Sequence, residues 1–182
     1  LDAAPIVNVP GRQFPVEVHY AGRGLPLLPS ASESPERLTA QIVRRALGET
    51  QGDLLVFLPG AGEIRRVQGL LNDLSSAALK VLPLYGELGA QDQDAVLAGH
   101  EAGLRRIVLA TNIAETSVTI PGVTVVIDAG LARRSRFDPA TGMSRLELTR
   151  ISRASAEQRA GRAGRTAPGV CYRLWSEGAH AS

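Results

Sequence analysis

The sequence of 182 residues is poor in cysteine and has no long apolar run, and both scarcities exclude kinds of protein. With Cys171 as its one cysteine, it holds no disulfide framework and fits a reducing compartment, so we expect a cytoplasmic protein. Cys171 lies between Val170 and Tyr172 in an apolar segment with no histidine nearby, which indicates core packing rather than nucleophilic chemistry. No apolar run approaches the roughly 18 residues that span a membrane, and no signal-peptide pattern opens the chain, so we expect no membrane partner.

Sequence patterns for binding metals and nucleotide phosphates are missing as well. The three histidines, His19, His100 and His180, lack the spacing of metal ligands, so we expect no metal site. The chain has neither a GxxxxGK[ST] phosphate loop nor a D-E-x-H sequence, and so lacks the parts that hold ATP and Mg²⁺. It opens at Leu1 and Asp2 without an initiator methionine, so we expect a fragment of a longer protein.

Positive charge is concentrated near the carboxyl terminus. The whole chain has a formal net charge of +2, yet residues 133–173 contain ten arginines against Asp138, Glu147 and Glu157. The remainder of the chain is therefore mildly acidic. A basic segment on an acidic body is typical of a protein with one face that binds anions.

The order of apolar segments predicts the fold class. A composition of 44% hydrophobic and 21% charged residues suits one α/β domain with its own core. Predicted strands cover residues 14–20, 53–58, 80–84, 106–110, 123–127 and 170–175, and predicted helices cover 35–47, 61–74 and 91–100. This alternation implies a parallel sheet covered on both faces, in which ligands bind at the carboxyl ends of strands. Residues 131–151 depart from it, because turn residues between two alternating runs predict a β-hairpin.

The octet QRAGRAGR, at residues 158–165, carries the strongest functional signal. Ser155 with Gln158 matches a capping box, so we expect a short helix that spaces the three arginines about one turn apart. Its glycines would let a ligand or another chain approach closely. A row of guanidinium groups suits a polyphosphate, because arginine offers fixed, charged, bidentate donors. A solvated basic helix, or a segment that binds RNA loosely, explains the octet alone equally well.

Because the octet occurs together with further motifs, the chain resembles the second RecA-like domain of a DEAH-box ATP-dependent RNA helicase of superfamily 2. The likeness is greatest to bacterial HrpB helicases. The other matching segments are LLVFLPG (54–60, the motif IV region), ATNIAETS (110–117, motif V) and GRQFPVEV (11–18, linker and first strand). Three motifs in this order are specific, whereas one alone would be weak. The resemblance implies a RecA-like three-layer α/β domain at 13–178, with a mostly parallel sheet and a β-hairpin insertion at about 131–151. A linker at 1–12 and a tail at 179–182 would flank it.

The resemblance also implies half of an ATP site. It places Arg162 and Arg165 at the γ-phosphate and lets Gln158 orient the attacking water, while Ser117 and Thr119 face the nucleotide. Arg159 would serve structural or interdomain pairing. The ligands of Mg²⁺ would lie on an absent first RecA-like domain, so we expect the isolated chain to be inactive.

A second set of residues is predicted to contact RNA. Thr111 and Asn112 follow a buried strand, where they can hydrogen-bond phosphate and 2′-hydroxyl oxygens or, alternatively, stabilise a simple turn. The resemblance places them on the RNA backbone, together with the turn at Gly60. It also places the hairpin, with Arg133 and Arg134, where a duplex splits.

Two positions depart from the family pattern. Leu97 stands where an aromatic residue often stacks on adenine, and Pro121 stands where an acidic residue often contacts the nucleotide. Both departures concern how the protein would select the base of the nucleotide, and not its resemblance to the helicase family. The sequence therefore predicts the second motor domain of an RNA helicase, which closes on the first domain around ATP and, in the full polypeptide, adjoins C-terminal domains. The rivals are a DNA helicase domain, a non-enzymatic RNA-binding module and a regulatory domain derived from a helicase.

Overall fold

A computed structural model of the chain describes residues 14–22, 34–98, 103–116, 118–139 and 142–180. The strands are β1 (Val16–Tyr20), β2 (Asp53–Phe57), β3 (Leu79–Leu84), β4 (Arg105–Ala110), β5 (Val123–Asp128), β6 (Leu131–Asp138), β7 (Met143–Arg150) and β8 (Gly169–Arg173). Six of them form one parallel sheet in the order β1-β8-β5-β2-β4-β3. All carboxyl ends therefore lie at one edge, as the sequence predicts.

Helices cover both faces of this sheet. The helices are α1 (Pro35–Glu49), α2 (Ala61–Leu70), α3 (Ala90–Leu97), α4 (Ile113–Thr116) and α5 (Arg153–Ala160). In the central strand β2, Leu54 and Val56 pack with α1 and α2 in one core. Leu55 and Phe57 point the other way and pack with α3, α4 and α5 in a second core. This strand is buried along its whole length, which explains its continuous apolar sequence. The predicted α/β class with three layers is confirmed.

The predicted hairpin is confirmed, as the antiparallel pair β6–β7 between β5 and α5. Opposite residues share a face, so the hairpin has two different surfaces. One face carries Phe137, Leu146 and Leu148, which are 61%, 65% and 53% exposed. The other face carries Arg134, Arg136, Arg145 and Glu147, and Glu147 accepts hydrogen bonds from Arg136 and Arg145.

Several predicted boundaries change. Ser34 caps α1 by accepting a hydrogen bond from the Arg37 amide, and the helix continues past its predicted end at residue 47 to Glu49. It ends at Thr50, whose backbone is extended with φ −130° and ψ 168°, while the Thr50 hydroxyl and amide both still donate to the Ala46 carbonyl. The predicted 61–74 helix is divided into α2 and a 3₁₀ turn, Asn72–Leu74. The predicted linker at 1–12 lies outside the described residues, and a 3₁₀ turn, Glu177–His180, crosses the predicted tail boundary.

Cys171 lies in β8 and is fully buried in the second core, so its predicted packing role is confirmed. Burial raises the pKa of its thiol far above the ordinary value, which keeps the thiol protonated. Across the described ranges, none of the helices is long and apolar enough to cross a membrane.

Candidate functional site

Three loops that the sequence assigns to function leave the carboxyl edge of the sheet side by side, after β5, β2 and β4. After β4, the Thr111 amide donates to the Leu84 carbonyl, and α4 begins two residues later. Within the described part of the chain, the side chains of Thr111 and Asn112 make no hydrogen bond, and Asn112 is exposed. Both are therefore available to a ligand at this edge.

The turn after β2 lies beneath the first arginine of the hairpin. Gly60 precedes α2 and is buried, and a Cβ built there would be 2.8 Å from Nε of Arg133. Arg133 also donates to Glu63, at 3.0 Å, and Glu63 lies in the first turn of α2. Gly60 thus permits a close approach by the hairpin, and Arg133 ties the hairpin to α2. Arg134 is exposed and makes no hydrogen bond or ion pair among the described residues.

The octet differs from its prediction in local structure. The cap of α5 is Ser152, whose hydroxyl accepts from the Ser155 amide, so the predicted capping box at Ser155 is wrong. The helix starts three residues earlier than that box requires, and it ends at Ala160. Arg162 and Arg165 therefore lie in the turns after α5 rather than in a helical row. At Gly164 a Cβ would lie 2.5 Å from the Phe14 carbonyl oxygen, so this glycine admits the chain's own backbone, not a ligand.

Arg159 is a buried structural residue. Its side chain is 1% exposed, lies 4.7 Å from the ring centre of Phe57, and forms ion pairs of 2.9 Å with both Glu115 and Asp128. Burial raises the pKa of Asp128 above its usual range, against the opposing effect of Arg159. The pairing predicted for Arg159 is confirmed, inside this domain.

Arg162 and Arg165 differ in their surroundings. Arg162 is buried and donates to the carbonyl oxygens of Glu115 and Val118. Burial, and then the adjacent charge of Arg165, lower its pKa, although arginine remains charged at neutral pH. Arg165 is exposed and donates to the Thr119 hydroxyl at 2.9 Å. The structure therefore brings Thr119, Arg162 and Arg165 together.

The other residues predicted to face the nucleotide make no described contact with Arg162, Arg165 or Thr119. Gln158 is exposed on α5, and its side chain has no hydrogen-bond partner among the described residues. Ser117 lies outside the described residues. Leu97 is half-buried and packs against the second core. The Pro121 carbonyl accepts a hydrogen bond from Arg106.

The donor set suits phosphate and does not suit a metal. Guanidinium and hydroxyl groups are what the fully ionised oxygens of a polyphosphate require. No group of three or more His, Cys, Asp or Glu residues that could hold a metal ion occurs in the described part of the chain. Thr119, Arg162 and Arg165 therefore fit a phosphate such as that of ATP, and they include no carboxylate that would hold Mg²⁺.

Sequence reasoning missed the acidic partners of these arginines. Glu115 lies inside motif V and Asp128 ends an apolar strand, yet neither was expected to contact the octet. It also missed the buried ion pair of Arg106 with Asp53, at 2.7 Å. The sequence did contain a signal for these pairs. The charged residues stand at the ends of apolar strands, and a charge that is buried with such a strand needs a partner of opposite charge.

Comparison with known proteins places this geometry in a family. The family model of the helicase conserved C-terminal domain matches residues 36–167. The chain is 45% identical over 181 residues to the probable ATP-dependent RNA helicase DHX34 of Mus musculus, covering 96% of this chain and 16% of that protein. It is also 45% identical over 174 residues to the ATP-dependent RNA helicase HrpB of Escherichia coli, covering 96% of this chain and 21% of that protein.

Solved structures agree with the sequence relatives. Two crystal structures of Escherichia coli HrpB superpose with TM-scores of 0.83 and 0.85 at 43% identity. They cover 94% and 98% of this chain but 20% and 22% of the HrpB chains. The predicted RecA-like fold is confirmed. The chain belongs to the family of helicase conserved C-terminal domains.

Proposed function

We propose that the chain is the second motor domain of an ATP-dependent RNA helicase, and that it supplies arginines to ATP held by a first RecA-like domain. The observation that carries the proposal is the pairing of exposed Arg165 with the Thr119 hydroxyl beside buried Arg162. The sequence supplies phosphate donors without a phosphate loop, which suits a half-site that closes on ATP from the opposite side of a cleft. The names of DHX34, HrpA and HrpB, all ATP-dependent RNA helicases, support it.

The two arginines have different tasks in this proposal. Arg165 can reach a γ-phosphate by rotating away from Thr119, since its side chain is exposed. Arg162 is held by the backbone of the segment after β4, and its remaining N–H groups add positive charge behind Arg165. Gln158, exposed one turn before Arg162, orients the attacking water. Ser117 and Thr119 complete the nucleotide side.

RNA would lie along the carboxyl edge of the sheet. Thr111 and Asn112 offer side chains without partners there, and Arg134 adds positive charge from the hairpin. Such contacts to phosphate and 2′-hydroxyl oxygens grip an RNA strand without reading its bases. Gly60 contributes through its backbone, and Arg133 shapes this edge through its bond to Glu63.

The cofactor and partners follow from the half-site. ATP would be bound with Mg²⁺ whose ligands lie on the first domain, since the residues placed beside the phosphate, Thr119, Arg162 and Arg165, include no carboxylate. The first RecA-like domain and C-terminal domains of the same polypeptide would be the protein partners. A cytoplasmic location stays a prediction from the sequence.

The hairpin would act as a wedge that separates the strands of a duplex. Its two faces support this proposal, because Phe137, Leu146 and Leu148 can meet unstacked bases while the arginines of the other face meet phosphates. The alternative is a hairpin that only packs on neighbouring domains. If the hairpin is a wedge, its removal affects strand separation alone. If it only packs on neighbouring domains, its removal affects ATP hydrolysis as well.

Replacing Arg134 with alanine in the full-length enzyme should weaken RNA binding evenly across RNA sequences. The reason is that a lost phosphate contact removes affinity and lowers the slope of log K against log salt by about 0.7–1. Fluorescence anisotropy with RNA at several salt concentrations measures both quantities. Arg145→Ala is the matched control, since Arg145 lies on the same face but is already paired with Glu147.

An unchanged salt slope in Arg134→Ala would remove this arginine from the RNA site. Competition between ribo- and deoxyribo-oligonucleotides in the same assay separates an RNA helicase from a DNA helicase. Preference for the ribo-oligonucleotide supports the proposal, because only RNA offers 2′-hydroxyl groups to Thr111 and Asn112.

A further inference from the structure

A buried ionic cluster joins the segment after β4 to the root of the hairpin. We call it the Arg159 cluster, and it consists of Glu115, Asp128 and Arg159. Nε of Arg159 lies 2.9 Å from Glu115 Oε2, and Nη1 of the same guanidinium lies 2.9 Å from Asp128 Oδ1. One rigid fork therefore connects two loops that belong to different strands.

Each end of the cluster reaches a functional element. At one end, the Glu115 carboxylate accepts from Ser155 at 2.7 Å, while the Glu115 carbonyl accepts from Arg162. At the other end, Asp128 Oδ1 accepts from the Gly130 amide at 2.8 Å, and Arg159 also donates to the carbonyl of Leu131, the first residue of the hairpin. Glu115 and Arg159 thus connect Arg162 to the first residue of the hairpin through a chain of hydrogen bonds.

The two ends differ in how firmly they are held. Asp128 is 1% exposed, and its Oδ2 atom is buried without a hydrogen-bond partner among the described residues. Glu115 is 15% exposed, and its loop also holds Arg162. A buried ion pair adds little net stability compared with apolar packing of the same volume, so stability alone does not account for the cluster. The Glu115 end is therefore freer to shift, and the tightly packed Asp128 end passes such a shift on to the start of the hairpin.

We propose that Arg159 is a positioning residue that transmits a change at the phosphate-contacting arginines to the hairpin. When Arg162 shifts towards a phosphate, it displaces the Glu115 backbone, and the Glu115 carboxylate then moves Arg159 against Asp128 and Leu131. The consequence is a fixed ratio between ATP hydrolysed and duplex separated. This inference rests on the proposed helicase function.

The test uses Asp128→Asn and Glu115→Gln in the full-length enzyme. Each substitution keeps the shape of the side chain but removes the charge that holds Arg159. RNA-stimulated ATPase kcat and KM should stay near wild type, while duplex separated per ATP hydrolysed falls by about 5-fold or more, the usual size of coupling between sites. Asp53→Asn is the matched control, because it breaks an equally buried arginine pair away from the hairpin.

Parallel losses of ATPase and unwinding, at an unchanged ratio as expected for Asp53→Asn, would overturn the inference. If Asp128→Asn does not fold, Glu115→Gln decides, since its side chain is partly exposed. Arg165→Ala in the same assay separates the two proposals. Full turnover by Arg165→Ala contradicts the half-site, whereas lost turnover there with an unchanged ratio in Glu115→Gln contradicts the coupling alone.

Discussion

Arg165→Ala in the full-length enzyme should reduce ATP turnover by about 10³-fold or more, which is the usual contribution of an arginine that stabilises charge on a transferred phosphoryl group. Affinity for RNA should stay near wild type, because Arg165 and its partner Thr119 lie in the segments that lead into the amino ends of β8 and β5, whereas the proposed RNA contacts follow the carboxyl ends of strands. The fold should also persist, since the side chain is exposed. Steady-state ATPase kinetics and RNA binding measured on the same samples check all three expectations.

Arg65→Ala is the matched control for this substitution, because Arg65 is an exposed arginine of α2 on the other face of the sheet. Arg162→Ala is a less clean probe. It would also leave the carbonyls of Glu115 and Val118 without their donor, at a cost of about 1–3 kcal/mol in folding free energy. Weakened RNA binding with intact turnover in Arg165→Ala would mean that the octet is an RNA-binding surface.

Shortening the hairpin should abolish duplex unwinding and spare the ATPase rate at saturating RNA, although more RNA will be needed to reach it because Arg134 is removed. The replacement runs from Arg134 to Glu147, which face each other in register, and joins Arg133 to Leu148 by an Asn-Gly turn. This cut keeps Ala132 in its small core and keeps the bond from Arg133 to Glu63. A wedge acts on strand separation and not on phosphate chemistry, so unwinding should be lost while ATP hydrolysis is retained.

A strand-displacement assay and an ATPase assay on the shortened enzyme measure this separation, with thermal unfolding as the control for an intact fold. Equal loss of both activities would indicate that the hairpin only supports packing between domains. Full unwinding by the shortened enzyme would rule out the wedge.

The fold was largely predictable because apolar periodicity reports burial. The central strand β2 is buried on both faces and therefore reads as an unbroken apolar run, and the Ser34-Pro35 cap marks the start of α1 without ambiguity. Boundaries set by single hydrogen bonds were less predictable. Gly48 is tolerated inside α1, and the helix ends where the Thr50 backbone becomes extended, which no sequence pattern specifies.

The candidate site was predictable in its residue types and not in its partners. The octet indicated phosphate binding, but Ser152 caps the helix, and the Ser155 hydroxyl instead donates to Glu115, which is distant in sequence. The burial of Arg162 likewise depends on the backbone of motif V passing beside it. Such contacts arise from tertiary packing, so one sequence alone cannot reveal them.

The most direct test of the half-site is ATP hydrolysis by this chain alone and by the same chain joined to its first RecA-like domain, each with and without RNA. The account predicts no turnover above background from the isolated chain, since it has no phosphate loop, and RNA-stimulated turnover from the joined domains. Turnover by a highly pure sample of the isolated chain, at a rate comparable to that of the joined domains, would contradict it.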